Sequence, residues 1–192
     1  MDLKSFFQSE CADHTATAQR TCEALAEPFA HLVAAAIATI KAGRTVFFFG
    51  NGGSAADAQH LATELTVRYS KNRAPIAAIA LTTDSSALTA IGNDLGFDHL
   101  FERQIEALGR PGDLAIAITT SGQSANVTLA LQMARRIGMT PAALTGRDGG
   151  TLPGLADPLL IVPSQTTARI QEMHILIGHS FCDALERELG LV

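Results

Sequence analysis

The sequence predicts an α/β fold: a doubly wound, five-stranded parallel sheet flanked by helices, with helices at the N-terminus and one long helix at the C-terminus. Three observations carry this. Five short apolar runs, 45–49, 76–81, 114–119, 140–144 and 159–162, alternate with helix-forming stretches, an order that selects a parallel sheet covered on both faces. A glycine-rich turn follows the first run and a hydroxyl-rich turn follows the third. Right-handed crossovers place both turns on one edge of the sheet.

Residues 3–27 carry Leu, Phe, Cys and Ala among polar residues without Gly or Pro, which reads as a first helix, and Pro28 is expected to open a second. That second helix, 29–42, is apolar on nearly all sides (Leu32, Val33, Ala36, Ile37, Ile40) and stops at Gly43, so it suits burial against a sheet or another subunit. The first strand run then meets Gly50-Asn51-Gly52-Gly53-Ser54 and a helical series in which His60 and Glu64 stand four apart, one face of a helix. Arg68 is read as the cation at the end of that helix. Asn93 and Asp94, beside Gly92 and Gly96, read equally as an Asx turn or as an amide and carboxylate for sugar hydroxyls. Thr119-Thr120-Ser121-Gly122-Gln123-Ser124 precedes a helix over 125–137, and the segment 145–150 reads as a plain surface turn. The final helix, 168–189, is apolar around its whole circumference, which predicts an oligomer interface.

With 192 residues, 47% of them hydrophobic, the chain suits one domain over 1–192: a helical segment at 1–42, then sheet core and last helix over 43–192. A net charge of −5 advertises no nucleic-acid surface. No signal peptide shows at the N-terminus, and the apolar stretch 31–40 is too short to span a bilayer, so no membrane partner and a cytoplasmic location are expected. Cys11, Cys22 and Cys182 lack CxxC spacing and read as reduced packing residues.

The chemistry gathers in three places. Glycines after the first strand let backbone approach a ligand, and Ser54 is available either to cap the helix or to bond a phosphate or sugar. The loop lacks a Walker Gly-Lys-Ser/Thr ending and is no clean dinucleotide fingerprint. Four hydroxyls in 119–124 at a helix start suit a phosphate monoester, although capping alone needs only one of them. In the last helix, Gln171 and His179 are costly to bury without partners, while His174 reads as a satisfied core histidine. Gln171 and His179 stand about 12 Å apart along the helix and roughly 80° apart around it. They meet one ligand only if their side chains converge, if the helix starts late, or if different subunits contribute.

These motifs together resemble the phosphoheptose isomerases, bacterial members of the sugar isomerase (SIS) domain family. The resemblance rests on Gly50-Asn51-Gly52-Gly53-Ser54 with His60 and Glu64, on Gly92-Asn93-Asp94, on Thr120-Ser121-Gly122 with Ser124, and on Arg169-Ile170-Gln171-Glu172 followed by His179. It implies a SIS-type fold and a homotetramer with active sites between subunits. The implied reaction converts sedoheptulose 7-phosphate into D-glycero-D-manno-heptose 7-phosphate, the first step toward nucleotide-activated heptose for lipopolysaccharide. By position, His60, Glu64, Gln171 and His179 match the ligands of a zinc ion, one per subunit. Asn51, Gly52, Gly53, Asn93, Asp94, Thr119, Thr120, Ser121 and Ser124 match substrate contacts, with Ser54, Glu64 and Gln171 beside them. Aldose–ketose exchange needs a base and an acid, and Glu64 and His179 are that pair, with Glu64 as carbon base. Thr119 replaces a serine found in many relatives, and Ala168 an aspartate found in some.

Two rival expectations share the scaffold. The segments 54–60 and 168–174 also resemble the noncatalytic replication-initiator-associating relatives, but those lack the acid/base pair that Glu64 and His179 supply here. Other phosphosugar isomerases would use the same hydroxyl loop.

Overall fold

The computed structural model describes all residues, 1–192, with the elements α1 (Leu3–Lys41), β1 (Val46–Gly50), α2 (Gly53–Thr66), β2 (Ala78–Ala80) and α3 (Ser85–Asp94) in its first half. A 3₁₀ turn at Phe97–His99 leads to α4 (Glu102–Leu108), β3 (Leu114–Ile118), α5 (Ala125–Arg136), β4 (Thr140–Gly146), β5 (Leu159–Val162) and α6 (Thr167–Glu188). The five strands are all parallel in the order β2-β1-β3-β4-β5. The chain therefore leaves β1 toward β2 on one side and reaches β3 on the other. Ligands of open α/β sheets bind beyond the strand ends at such a reversal.

Alternation along β1 explains the two layers. Val46 and Phe48 point into one apolar layer with Leu32 of α1, Leu61 of α2 and Ile177 of α6. Phe47 and Phe49 point into the other, with Ile105 of α4 and Val127 and Leu131 of α5. Successive strand side chains face opposite ways, so one run of aromatics serves both faces. Every residue of β1 and β3 is buried, whereas Ile79 in β2 is 38% exposed. β2 is an edge strand, which is why its ladder covers only Ala78–Ala80 of the expected 76–81.

The expected pair of N-terminal helices is a single helix of 39 residues with Pro28 inside it. Proline removes the bond to the carbonyl four residues back. That residue, Ala24, is exposed, so the interrupted bond falls on the solvent side of the helix while Leu25, Leu32 and Val33 keep the buried face continuous. By length and composition alone α1 as a whole could cross a membrane, with a window of mean hydropathy 1.3, a test that the core helix of a globular domain also passes. Here it packs against α6 and β5. Cys11 and Cys22 are exposed rather than packed; only Cys182 is buried, and burial pushes its thiol up to about 12.

Candidate active site

The crevice between the β1 and β3 ends is lined by Asn51, Ser54, Thr119, Thr120, Ser121, Ser124 and Gln171, a cavity of about 90 Å³. Gly52 takes φ 56° as the residue before α2, and no side chain caps the helix there. Ser54 is thus not the cap; it is buried at 3% exposure inside the first turn and lines the cavity. Ser124, which precedes α5, makes no capping bond with its side chain either. Thr119 Oγ1 accepts from Gly122 N–H at 3.3 Å and Ser121 Oγ from Gln123 N–H at 3.2 Å, but each hydroxyl keeps its own proton to donate, and such donors at the start of two helices favour an anion. Asn51 and Asn126 exchange two amide hydrogen bonds of 2.9 Å each, fastening the β1 loop to α5. Asn126 was missed in the sequence, where nothing but its place two residues after Ser124 marked it.

The turn at 145–150 is more than surface. Gly122 lies so close to Gly149 that a Cβ on Gly122 would come within 2.1 Å of the Gly149 carbonyl oxygen. Thr151 then bonds the Gly122 carbonyl through both its N–H and its hydroxyl, at 3.0 Å each. The segment is a wall that sets the shape of the hydroxyl loop. Thr145 accepts through its carbonyl from His174 Nε2 at 3.1 Å. Burial lowers the His174 imidazole to about 4, so His174 is a neutral core histidine, but only half satisfied: its Nδ1 is buried without a partner.

Beside this cavity, α2 and α6 cross closely. Gly178 makes that possible: a Cβ there would stand 2.6 Å from Leu61 Cδ2. The approach brings His60 Nε2 and His179 Nε2 to 2.8 Å, one ring donating to the other, with Glu64 Oε1 3.4 Å from His60 Nε2. The Tyr69 ring lies over His179 at a centroid distance of 5.7 Å. Asp57, one turn before His60 and also missed in the sequence, has its carboxyl raised by burial against the opposing charges of His60 and His179. Arg68 lies past the end of α2 at Thr66 rather than on it.

Gln171 reaches the β1 loop from α6, and a Cβ on Gly53 would meet its Nε2 at 2.6 Å. The eight residues between Gln171 and His179 thus place them at two stations: Gln171 lines the cavity, and His179 faces His60. No three His, Cys, Asp or Glu side chains are gathered at metal-holding distance. His60 stands against both His179 and Glu64, imidazole and carboxylate donors of the kind zinc takes, but the three are not drawn together around one point. Asn93 and Asp94 are not part of the cavity. They form the exposed last turn of α3, where Asn93 Nδ2 donates to Asp94 Oδ1 at 2.7 Å.

The SIS domain family profile matches residues 11–146. A phosphoheptose isomerase of Paramagnetospirillum magneticum is 59% identical over 186 residues, covering 97% of each chain. The solved phosphoheptose isomerase of Neisseria gonorrhoeae superposes with a TM-score of 0.90 at 44% identity over 96% of this chain and 99% of its own. That of Francisella tularensis gives 0.94 at 36% identity over 97% and 100%. Likeness of this extent, spanning the crevice, both helices of the histidine pair and the whole sheet, puts the chain among the phosphoheptose isomerases of the SIS domain family.

Proposed function

We propose that the chain interconverts sedoheptulose 7-phosphate and D-glycero-D-manno-heptose 7-phosphate by proton transfer through an ene-diol. The observation that carries this reading is the His60, His179 and Glu64 cluster on the same two helices, α2 and α6, that reach a crevice lined by hydroxyls. The phosphate binds Ser54, Thr119, Thr120, Ser121 and Ser124, with the α2 and α5 N-termini adding N–H donors. Asn51, Gly52 and Gly53 let the sugar chain pass close to backbone, and Gln171 bonds a sugar hydroxyl. Glu64 removes the proton from the carbon beside the carbonyl, and His179 protonates the neighbouring carbon or its oxygen; each contributes about 10²- to 10⁴-fold. Of the four ligands the resemblance implies, His60, Glu64 and His179 would hold zinc, which when bound supplies polarisation of a substrate carbonyl oxygen, while Gln171 stands apart from them at the crevice.

The working unit in this reading is a cytoplasmic homotetramer that takes a phosphosugar and no nucleic acid. Support comes from the apolar groove between α1 and α6, lined by Ala18, Cys22, Leu25, Phe29, Leu176 and Ile177, where Leu176 is 47% exposed. Asn93 and Asp94, distant from the cavity of their own chain, serve a site shared with a neighbouring subunit.

The test is to incubate the protein with sedoheptulose 7-phosphate in deuterated water, with and without zinc, and follow the sugar by NMR. Aldoheptose phosphate carrying deuterium at carbon 2 is the expected product, formed faster with zinc. A ketose that binds but stays unexchanged removes the isomerase reading and leaves a phosphosugar sensor.

A further inference from the structure

Glu186 follows His179 on α6 by seven residues, two turns that return it to the same side of the helix. Its side chain is fully buried and carries four hydrogen bonds. Oε1 accepts from Tyr69 N–H at 2.9 Å and from Arg73 Nε at 2.8 Å. Oε2 accepts from Ser70 N–H at 3.2 Å and Ser70 Oγ at 2.9 Å. The Arg73 side chain, 1% exposed, spends its other donors on main chain: Nη2 on the Glu64 carbonyl at 2.8 Å, Nη1 on the carbonyls of Leu65 at 2.7 Å and Ala74 at 3.0 Å. Glu64 and Leu65 are among the last four residues of α2, whose carbonyls have no partner within the helix.

We propose that Arg73 and Glu186 are positioning residues for the isomerisation: their buried ion pair ties the backbone of Glu64 on α2, and the Tyr69 ring against His179, to α6, and so fixes the spacing of the base and the acid. The inference rests on the assignment of Glu64 and His179 given above.

The pair touches two parts of the site at once. One end grips the main chain of the base itself. The other holds the Tyr69 amide and therefore the ring that lies tilted against His179. Taking two charges out of water is expensive, and apolar replacements of such pairs are often no less stable. Stability alone is thus a weak reason for an ion pair here, whereas placement is a strong one, because the fork of a guanidinium fixes direction as well as distance. Burial raises the Glu186 carboxyl, but the bonds from Tyr69, Ser70 and Arg73 outweigh it and hold it down at about 2. The clasp is closed throughout the neutral range.

The experiment measures kcat, KM and thermal unfolding for Arg73→Lys, Glu186→Gln and the paired apolar replacement R73M/E186L, with Glu64→Gln alongside. Arg73→Lys keeps the charge and loses the fork. We expect kcat to fall about 10- to 100-fold, the scale of a small misplacement of reacting groups, with KM within about twofold because the phosphate crevice is untouched. The paired replacement is expected to unfold near the wild-type temperature and still lack the lost kcat. Recovery of kcat together with the melting temperature, or single variants that fold and turn over at the wild-type rate, overturns the positioning role. Should the paired variant not fold, Arg73→Lys and Glu186→Gln decide by their kcat against KM. An active Glu64→Gln overturns the base assignment and this inference together; an inactive one beside unaffected clasp variants overturns this inference alone.

Discussion

The crevice after β1 and β3 is walled mainly by loops that directly follow strands, whereas the His60 and His179 pair joins two helices 119 residues apart in sequence. The crevice offers a ligand neutral hydroxyls and main-chain donors, several of one kind. The histidine cluster depends on helix spacing, and a few tenths of an ångström decide whether its groups meet. One region is thus tolerant and local, the other exacting and built at long range.

Four changes sharpen that contrast. The largest effect belongs to the exacting region: Glu64→Gln or His179→Asn is expected to lower kcat by about 10²- to 10⁴-fold with the assembly unchanged, read by steady-state assay and light scattering. Wild-type turnover in both variants would remove the assigned pair.

Next comes acid. The Glu186 carboxyl sits at about 2 in the fold against an ordinary 4.5. Between those values the unfolded chain binds a proton that the native one does not, so the stabilisation is whole above pH 4.5 and is lost as pH falls toward 2. At 1.36 kcal/mol per unit this is on the order of 3 kcal/mol. Urea unfolding of the wild type across that window should show the loss and Glu186→Gln should not; parallel curves would deny it.

Gly178→Ala drives a methyl into Leu61 where helices α2 and α6 cross. Overpacking of this kind costs about 1–3 kcal/mol and should part the histidines, lowering the melting temperature and kcat together. A normal kcat in a destabilised protein would show that the spacing is not critical.

The smallest effect falls in the tolerant region. Ser124→Ala removes one of several phosphate donors, about 1 kcal/mol, and should raise KM roughly fivefold with kcat kept. A loss confined to kcat would move Ser124 from binding to chemistry.

Much of the local architecture could be read from residues alone. The strand over 159–162 and the helix after Ser124 fall where the apolar runs and the hydroxyl-rich turn put them. His60 and Glu64 share a face because four residues make about one turn. Where the reading failed, a distant partner had overruled a local signal. Pro28 does not divide α1, because the helix buries one continuous stripe against α6 and leaves the interrupted bond on the wet side. Glycines 149 and 150 looked like a solvent turn until Gly122 packed on them. Asn93 and Asp94 are the last turn of α3, not an isolated Asx turn, since the helix that starts after Asp84 runs on through them.

By itself the sequence determined the order of strands and helices, the two layers and the candidate groups, because periodicity and turn chemistry act over a few residues. Only the tertiary structure decided that His179 meets His60 while Gln171 faces the hydroxyls, and that Glu186 grips the loop after α2. Those contacts depend on how closely two helices approach, and that distance is set at Gly178, where a missing side chain admits Leu61.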